Sequence, residues 1–186
     1  MAEAEVEIIR RYLQDAIAAE TNFEGQLRLL AHEGDDFEVQ ALFFGHAAET
    51  HRQIERLTAR LQELGGIPSV AKSSLAQLFN SAPKMAQATH IPEERTVQNL
   101  VMAFSVENGE RAMYEALAVT ARMAGDLVTE QLAREIAAEE FVTAEKIWRF
   151  FPSRSKIAFN MATVGEVDPA VETKTADDRV TDGTLL

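Results

Sequence analysis

The sequence predicts an all-α protein: a four-helix bundle of two antiparallel hairpins joined by one long crossover, with a C-terminal tail. Three observations lead there. Gly and Pro number only nine and five in 186 residues, and long windows are rich in Ala, Glu, Leu and Arg, which favour helix. Apolar residues in those windows recur at alternating steps of four and three, the spacing of a single buried helical stripe. The breaks between windows are short at two places and long at one, which fixes how the helices connect.

The first helix carries Ile9, Leu13, Ala16, Glu20, Phe23, Leu27 and Leu30 on one face. It ends at Gly34, and Asp35-Asp36 caps the next helix. The second carries Val39, Phe43, His46, Thr50, Ile54, Leu57, Leu61 and Leu64, broadened by Leu42, Glu49 and Gln53, and stops at Gly65-Gly66-Ile67-Pro68. The tight connection makes these two an antiparallel hairpin. Residues 67–92 hold three of the five prolines among many Ser and Ala, so a crossover is expected there, with one short helix around Ser73 to Asn80.

After Pro92 the third helix shows Val97, Leu100, Phe104, Glu107, Glu110, Tyr114, Leu117 and Ala121. Gly125-Asp126 then turns the chain into a fourth, carrying Leu132, Ile136, Glu139, Val142, Thr143, Ile147 and Phe150, which Phe151-Pro152 is expected to break. Residues 1–152 therefore read as the bundle and 153–186 as a C-terminal extension, with Phe159 to Val164 docked and the rest mobile. Two hairpins joined by one long crossover have the ferritin-like connectivity.

Composition narrows the function. Lys and Arg total 18 against 30 Asp and Glu, a formal charge of −12 that opposes nucleic acid or an anionic membrane as partner. No apolar run approaches the roughly 18–20 residues of a membrane span, and the acidic Met-Ala-Glu-Ala-Glu start is unlike a signal peptide, so a cytoplasmic protein is expected. The absence of cysteine removes disulfides, thiolate zinc sites, iron–sulfur clusters and a cysteine nucleophile. Any metal must sit on Glu, Asp or His. No Gly-rich phosphate loop, nucleophile elbow or HExxH motif is present.

Glu20, Glu107 and Glu139 occupy stripe positions that packing would give to Leu or Ala. Burying an unpartnered carboxylate costs several kcal/mol, so convergence of several demands a counter-charge, protonation or contact with solvent. The stripes offer no Lys or Arg at that level, and Arg52 and Arg111 lie off the buried direction. Glu20 and Glu49 stand at matched distances from Gly34, as Glu107 and Glu139 nearly do from Gly125, so all four fall within about one turn of a common level. His46 precedes Glu49 by three residues and Glu110 follows Glu107 by three, so each projects with its neighbour from one helical face.

Five carboxylates and one imidazole are hard ligands able to bridge two divalent ions, as in di-iron or di-manganese carboxylate sites. Tyr114, one turn beyond Glu110, either orients a ligand and serves one-electron chemistry or is a core tyrosine with a satisfied hydroxyl. Glu24, Glu135, Glu140 and Glu145 read as exposed charges, and His51 as a surface residue.

These segments resemble the ferritin-like superfamily, and within it the YciE/YciF-type stress-associated proteins, with rubrerythrin as a better understood relative. The resemblance rests on Leu13 to Glu20, on His46-Ala47-Ala48-Glu49-Thr50 with Ile54-Glu55-Arg56-Leu57, on Val106 to Glu110 with Tyr114, and on Glu139-Glu140 with Ala144-Glu145-Lys146. It implies a di-metal bundle in which Glu20, Glu49, Glu107, Glu110 and Glu139 ligate and His46 is the nitrogen donor. The usual Glu-x-x-His pair is reversed here in His46-x-x-Glu49, and Val142 stands where a second histidine would. Lacking cysteine, the chain has no rubredoxin-like electron-transfer module.

The expected function is a non-haem protein with two iron or manganese ions that react with peroxide or dioxygen in oxidative-stress defence, with an unknown electron donor. Two rival readings remain open: a metal-free helical interaction protein, and a ferritin-like oxidase of an organic substrate. A homodimer is expected, because Phe44, Val101 and Met102 widen the apolar faces of helices two and three beyond one core.

Overall fold

The computed structural model describes residues 1–68 and 89–164. Within them are helices α1 (Glu3–Leu30), α2 (Phe37–Glu63), α3 (Pro92–Met123), α4 (Leu127–Trp148) and α5 (Phe151–Val164). The first four form the four-helix bundle. The short helix expected around Ser73 to Asn80 and the tail beyond Val164 lie outside the described residues.

Local chemistry sets the helix ends. Gly34, Gly65 and Gly125 adopt φ of +81°, +78° and +74°, the left-handed conformation that closes a helix without a Cβ penalty. Asp36 caps α2 by accepting from the backbone N–H groups of Glu38 and Val39, each at 3.1 Å. Asp126 caps α4 through Thr129 N–H at 3.0 Å. Pro92 opens α3, where its missing N–H costs nothing.

Cross-helix contacts give the topology. Glu33 accepts from Asn99 and Glu20 accepts from Tyr114, so α1 and α3 run antiparallel. Gln53 donates to Glu140 while Arg60 donates to Thr129, so α2 and α4 do too. With both hairpins antiparallel, α2 and α3 point the same way, so the C-terminus of α2 and the N-terminus of α3 lie at opposite ends of the bundle.

Phe151-Pro152 does separate two helices, but no break to an irregular tail follows. Proline is favourable in the first turn of a helix, and α5 starts there. It docks on α3 and on the N-terminus of α2 through Ala158, Phe151 and Arg154, whereas Phe159 is 67% exposed. Arg154 donates to both Asp36 carboxylate oxygens at 2.8 and 2.9 Å and to Glu38 at 2.5 Å. Arg154→Ala is expected to cost about 1–2 kcal/mol, because Asp36 keeps some water contact. Thermal unfolding should show it as a Tm lower by about 2–8 °C; an unchanged Tm would mean that this pair does not hold α5.

The apolar core is in two parts. One contains Ile9, Leu13, Ile17, Leu57, Leu61, Leu117 and Ile136; the other contains Phe23, Leu27, Phe43, Leu100, Val106 and Ile147. On every bundle helix a polar stretch separates them.

Candidate metal centre

The polar layer takes Glu20 from α1, His46, Thr50 and Gln53 from α2, Glu107 and Glu110 from α3, and Glu140 and Thr143 from α4. None of these is more than 3% exposed. Each follows from its helical stripe: Glu20 lies between Ile17 and Phe23, and Glu107 and Glu110 lie between Val106 and Tyr114, so burying the apolar neighbours carries the carboxylates inward.

One ligating atom each from His46, Glu107 and Glu140 lie within 4.8 Å of one another. His46 Nε2 and Glu107 Oε1 are 3.1 Å apart but not aligned as a hydrogen bond. Glu20 Oε2, both ring nitrogens of His46 and both oxygens of Glu107 and of Glu110 are buried without a hydrogen-bond partner. Unpaired buried polar atoms are rare in folded proteins, each costing about 1–3 kcal/mol. Seven on the four acidic and imidazole side chains of one layer is the pattern of a ligand-binding constellation.

The electrostatics agree with the geometry. Burial, and then the neighbouring Glu140, push the carboxyl of Glu20 far above the usual carboxylate range. The same holds for Glu107, through burial and then Glu140, Glu110 and Glu20, and for Glu110, through burial and then Glu20 and Glu140. Burial raises Glu140 to about 7. Burial, reinforced by Lys146, lowers His46 to about 3, so its imidazole is neutral at physiological pH with a lone pair to offer. Tyr114 is fully buried and donates its hydroxyl to Glu20 Oε1, a contact that both readings of that side chain share.

The sequence reading needs two corrections of placement. Glu139, placed on the inward stripe, is 33% exposed at its side chain and paired with Arg56, whereas Glu140, placed among the exposed charges, is buried in the layer. The buried stripe of α4 runs through Thr129, Ala133, Ile136, Glu140, Thr143 and Ile147 rather than through Leu132 and Val142. With Glu140 inward, the position three residues on is Thr143, and Val142 is half exposed.

Glu49 stands at the edge of the layer, its side chain 23% exposed; it accepts from the Thr143 hydroxyl at 3.1 Å and lies 3.7 Å from Lys146. Glu24, Glu135 and Glu145 are outside the layer, Glu24 pairing with Arg28 and the exposed His51. Arg111 stacks on Phe141 outside the layer and Arg52 is exposed, as expected. Gln53, expected to broaden the stripe of α2, is buried in the layer, and Arg56, to which sequence reasoning assigned no role, pairs with Glu139 beside it.

Among known proteins, the family described as "Domain of unknown function (DUF892)" matches residues 6–158. The chain is 28% identical to Protein YciF of Escherichia coli (strain K12) over 137 residues, 73% of this chain and 82% of that protein. The solved structure of the E. coli stress protein YciF superposes with TM-score 0.72 at 23% identity, covering 83% of this chain and 99% of that one. The dodecameric thioferritin from Bacteroides fragilis gives TM-score 0.65 at 20% identity, covering 82% and 89%. A Desulfovibrio desulfuricans bacterioferritin, whose structure describes a diiron site, gives 0.60 at 19% identity, covering 92% and 88%. The fold is thus ferritin-like.

Proposed function

The chain belongs to the DUF892 family, and we propose that it is a non-haem protein with two iron or manganese ions that react with peroxide or dioxygen. The observation that carries this reading is the layer of buried carboxylates and one neutral imidazole, with unpartnered atoms converging between two apolar cores. Carboxylate and imidazole suit iron and manganese, and a pair of divalent charges offsets carboxylates that the protein alone leaves uncompensated. The diiron site of the bacterioferritin and the description of YciF as a stress protein support the same reading.

We assign the ligands as Glu20, His46, Glu107, Glu110 and Glu140, with Glu49 at the solvent edge and Glu140 taking the role that the sequence pattern gave to Glu139. Bound there, iron supplies electron exchange with a small oxidant. The residues of the chain do the rest. His46 presents a neutral nitrogen. Tyr114 holds Glu20 Oε1, leaving Oε2 free to face the layer. Carboxyls kept protonated by burial release their protons when a cation arrives. Leu13, Leu57 and Leu117 on one side and Phe23, Phe43 and Leu100 on the other exclude water. A homodimer fits Phe44 and Val101, which are 43% and 50% exposed.

Anaerobic reconstitution with ferrous iron, followed by elemental analysis, tests the reading. About two irons per chain are expected, oxidised on adding peroxide or oxygen and lost in a Glu20→Ala, Glu107→Ala double variant. A wild-type protein that retains neither iron nor manganese would leave the metal-free interaction protein as the correct account.

A further inference from the structure

We propose that Glu139, Arg56 and Gln53 form a guarded port at the α2–α4 seam through which a divalent cation reaches the buried layer; this rests on the metal-centre reading above. Glu20, Glu107, Glu110 and Glu140 are at most 1% exposed, whereas the side chains of Glu139 and Glu49 keep 33% and 23% exposure. Among the described residues, solvent therefore meets the layer's carboxylates at this seam.

Gln53 joins the outside to the inside. It is 1% exposed, and its Nε2 donates to Glu139 Oε2 at 3.2 Å and to Glu140 Oε1 at 2.6 Å. Its Oε1 is buried without a hydrogen-bond partner. A cation passing the seam thus meets an outer carboxylate and then an inner one, joined by the Gln53 amide whose oxygen is uncommitted, and these are hard donors of the kind it needs. Because successive helical positions differ by about 100°, the adjacent pair Glu139-Glu140 can put one carboxylate on the seam and the other in the interior.

Arg56 supplies the guard. It donates to Glu139 Oε2, and its side chain is 34% exposed, so it can leave toward water. While paired it places a positive charge across the path and raises the barrier to an incoming cation. When it swings away, Glu139 is free to take the ion, and the protein's net charge of −12 keeps cations concentrated at the surface.

The test is the rate of cobalt(II) uptake by the full chain, followed in a stopped-flow instrument through the visible bands of the bound ion. Cobalt(II) alone needs no oxidant, so the readout is independent of activity. Glu139→Gln is expected to slow uptake about fivefold and Arg56→Gln to speed it by about the same factor, with cobalt bound per chain unchanged. Glu55→Gln, which removes the same charge from an exposed position next to Arg56, should match wild type. Uptake rates unaffected by both seam substitutions would overturn the port, as would a lower cobalt content in Glu139→Gln, which would make Glu139 a ligand of the centre. Wild-type protein that takes up no cobalt would instead overturn the metal-centre reading, and the port with it.

Discussion

Replacing Glu107 and Glu110 together by Gln is expected to raise the melting temperature of the metal-free protein and to abolish its stabilisation by iron or manganese. Ordinary core substitutions destabilise, so the direction is diagnostic. Both carboxyls are fully buried and face Glu20 and Glu140; those of Glu110 have no hydrogen-bond partner and Glu107 meets only another carboxyl, that of Glu140. An amide of the same shape carries no charge and adds N–H donors that Glu20, Glu140 and His46 can accept. Relief of about 2–4 kcal/mol would raise the Tm by on the order of 10 °C at pH 8. Differential scanning fluorimetry with and without manganese reads both effects. A lower Tm without metal would show that these carboxyls stabilise the fold by themselves.

The metal-free protein is also expected to lose stability as pH rises from 6.5 to 8.5. The carboxyls of Glu20, Glu107, Glu110 and Glu140 have folded-state affinities for protons above those of the unfolded chain, so the folded form binds more protons. Their contribution is fully present below about pH 4.5 and is lost as pH rises through the folded values. For Glu140 that value is about 7, so its share, about 3 kcal/mol, is lost between about pH 4.5 and 7, and the loss above that comes from the other three. His46 has the opposite sign: lowered to about 3, it contributes stability above pH 6.5 that is lost as pH falls toward 3. Above 6.5 the histidine no longer varies, and the carboxyls alone set the slope.

Saturating manganese should flatten or reverse that slope, because metal and protons compete for the same oxygens. Glu140→Gln should remove the part of the loss that ends near pH 7. A metal-free Tm that stays flat across this window, in wild type and variant alike, would contradict the electrostatic account of the layer.

Much of this was legible in the sequence, for reasons that are local. Gly34, Gly125, Asp36 and Asp126 carry the chemistry of helix ends within a few residues, so the helix boundaries follow from them. Glu20, His46, Glu107 and Glu110 stood out because each interrupts a strong apolar stripe, and the structure buries all four. On α4 the signal was ambiguous. A stripe through Leu132, Glu139 and Val142 has more apolar bulk than one through Thr129, Ala133 and Glu140, so periodicity favoured the wrong neighbour of the Glu139-Glu140 pair.

Contacts between distant segments decide that rotation: Arg60 reaches Thr129 and Asp126, and Gln53 and Arg56 reach Glu139, across the α2–α4 seam. Long side chains place charge a turn away from their own backbone position, which is why a cation at this level was not anticipated. Proline at 152 was similarly two-sided, ending α4 and starting α5, and the pairing of Arg154 with Asp36 far along the chain favours the helix.

The central claim is that the polar layer holds a pair of metal ions, and anomalous diffraction from crystals loaded anaerobically with ferrous iron tests it most directly. The account predicts two peaks about 3.5–4 Å apart, enclosed by Glu20, His46, Glu107, Glu110 and Glu140. Crystals whose iron peaks lie only at surface carboxylates, with none inside the layer, would contradict it.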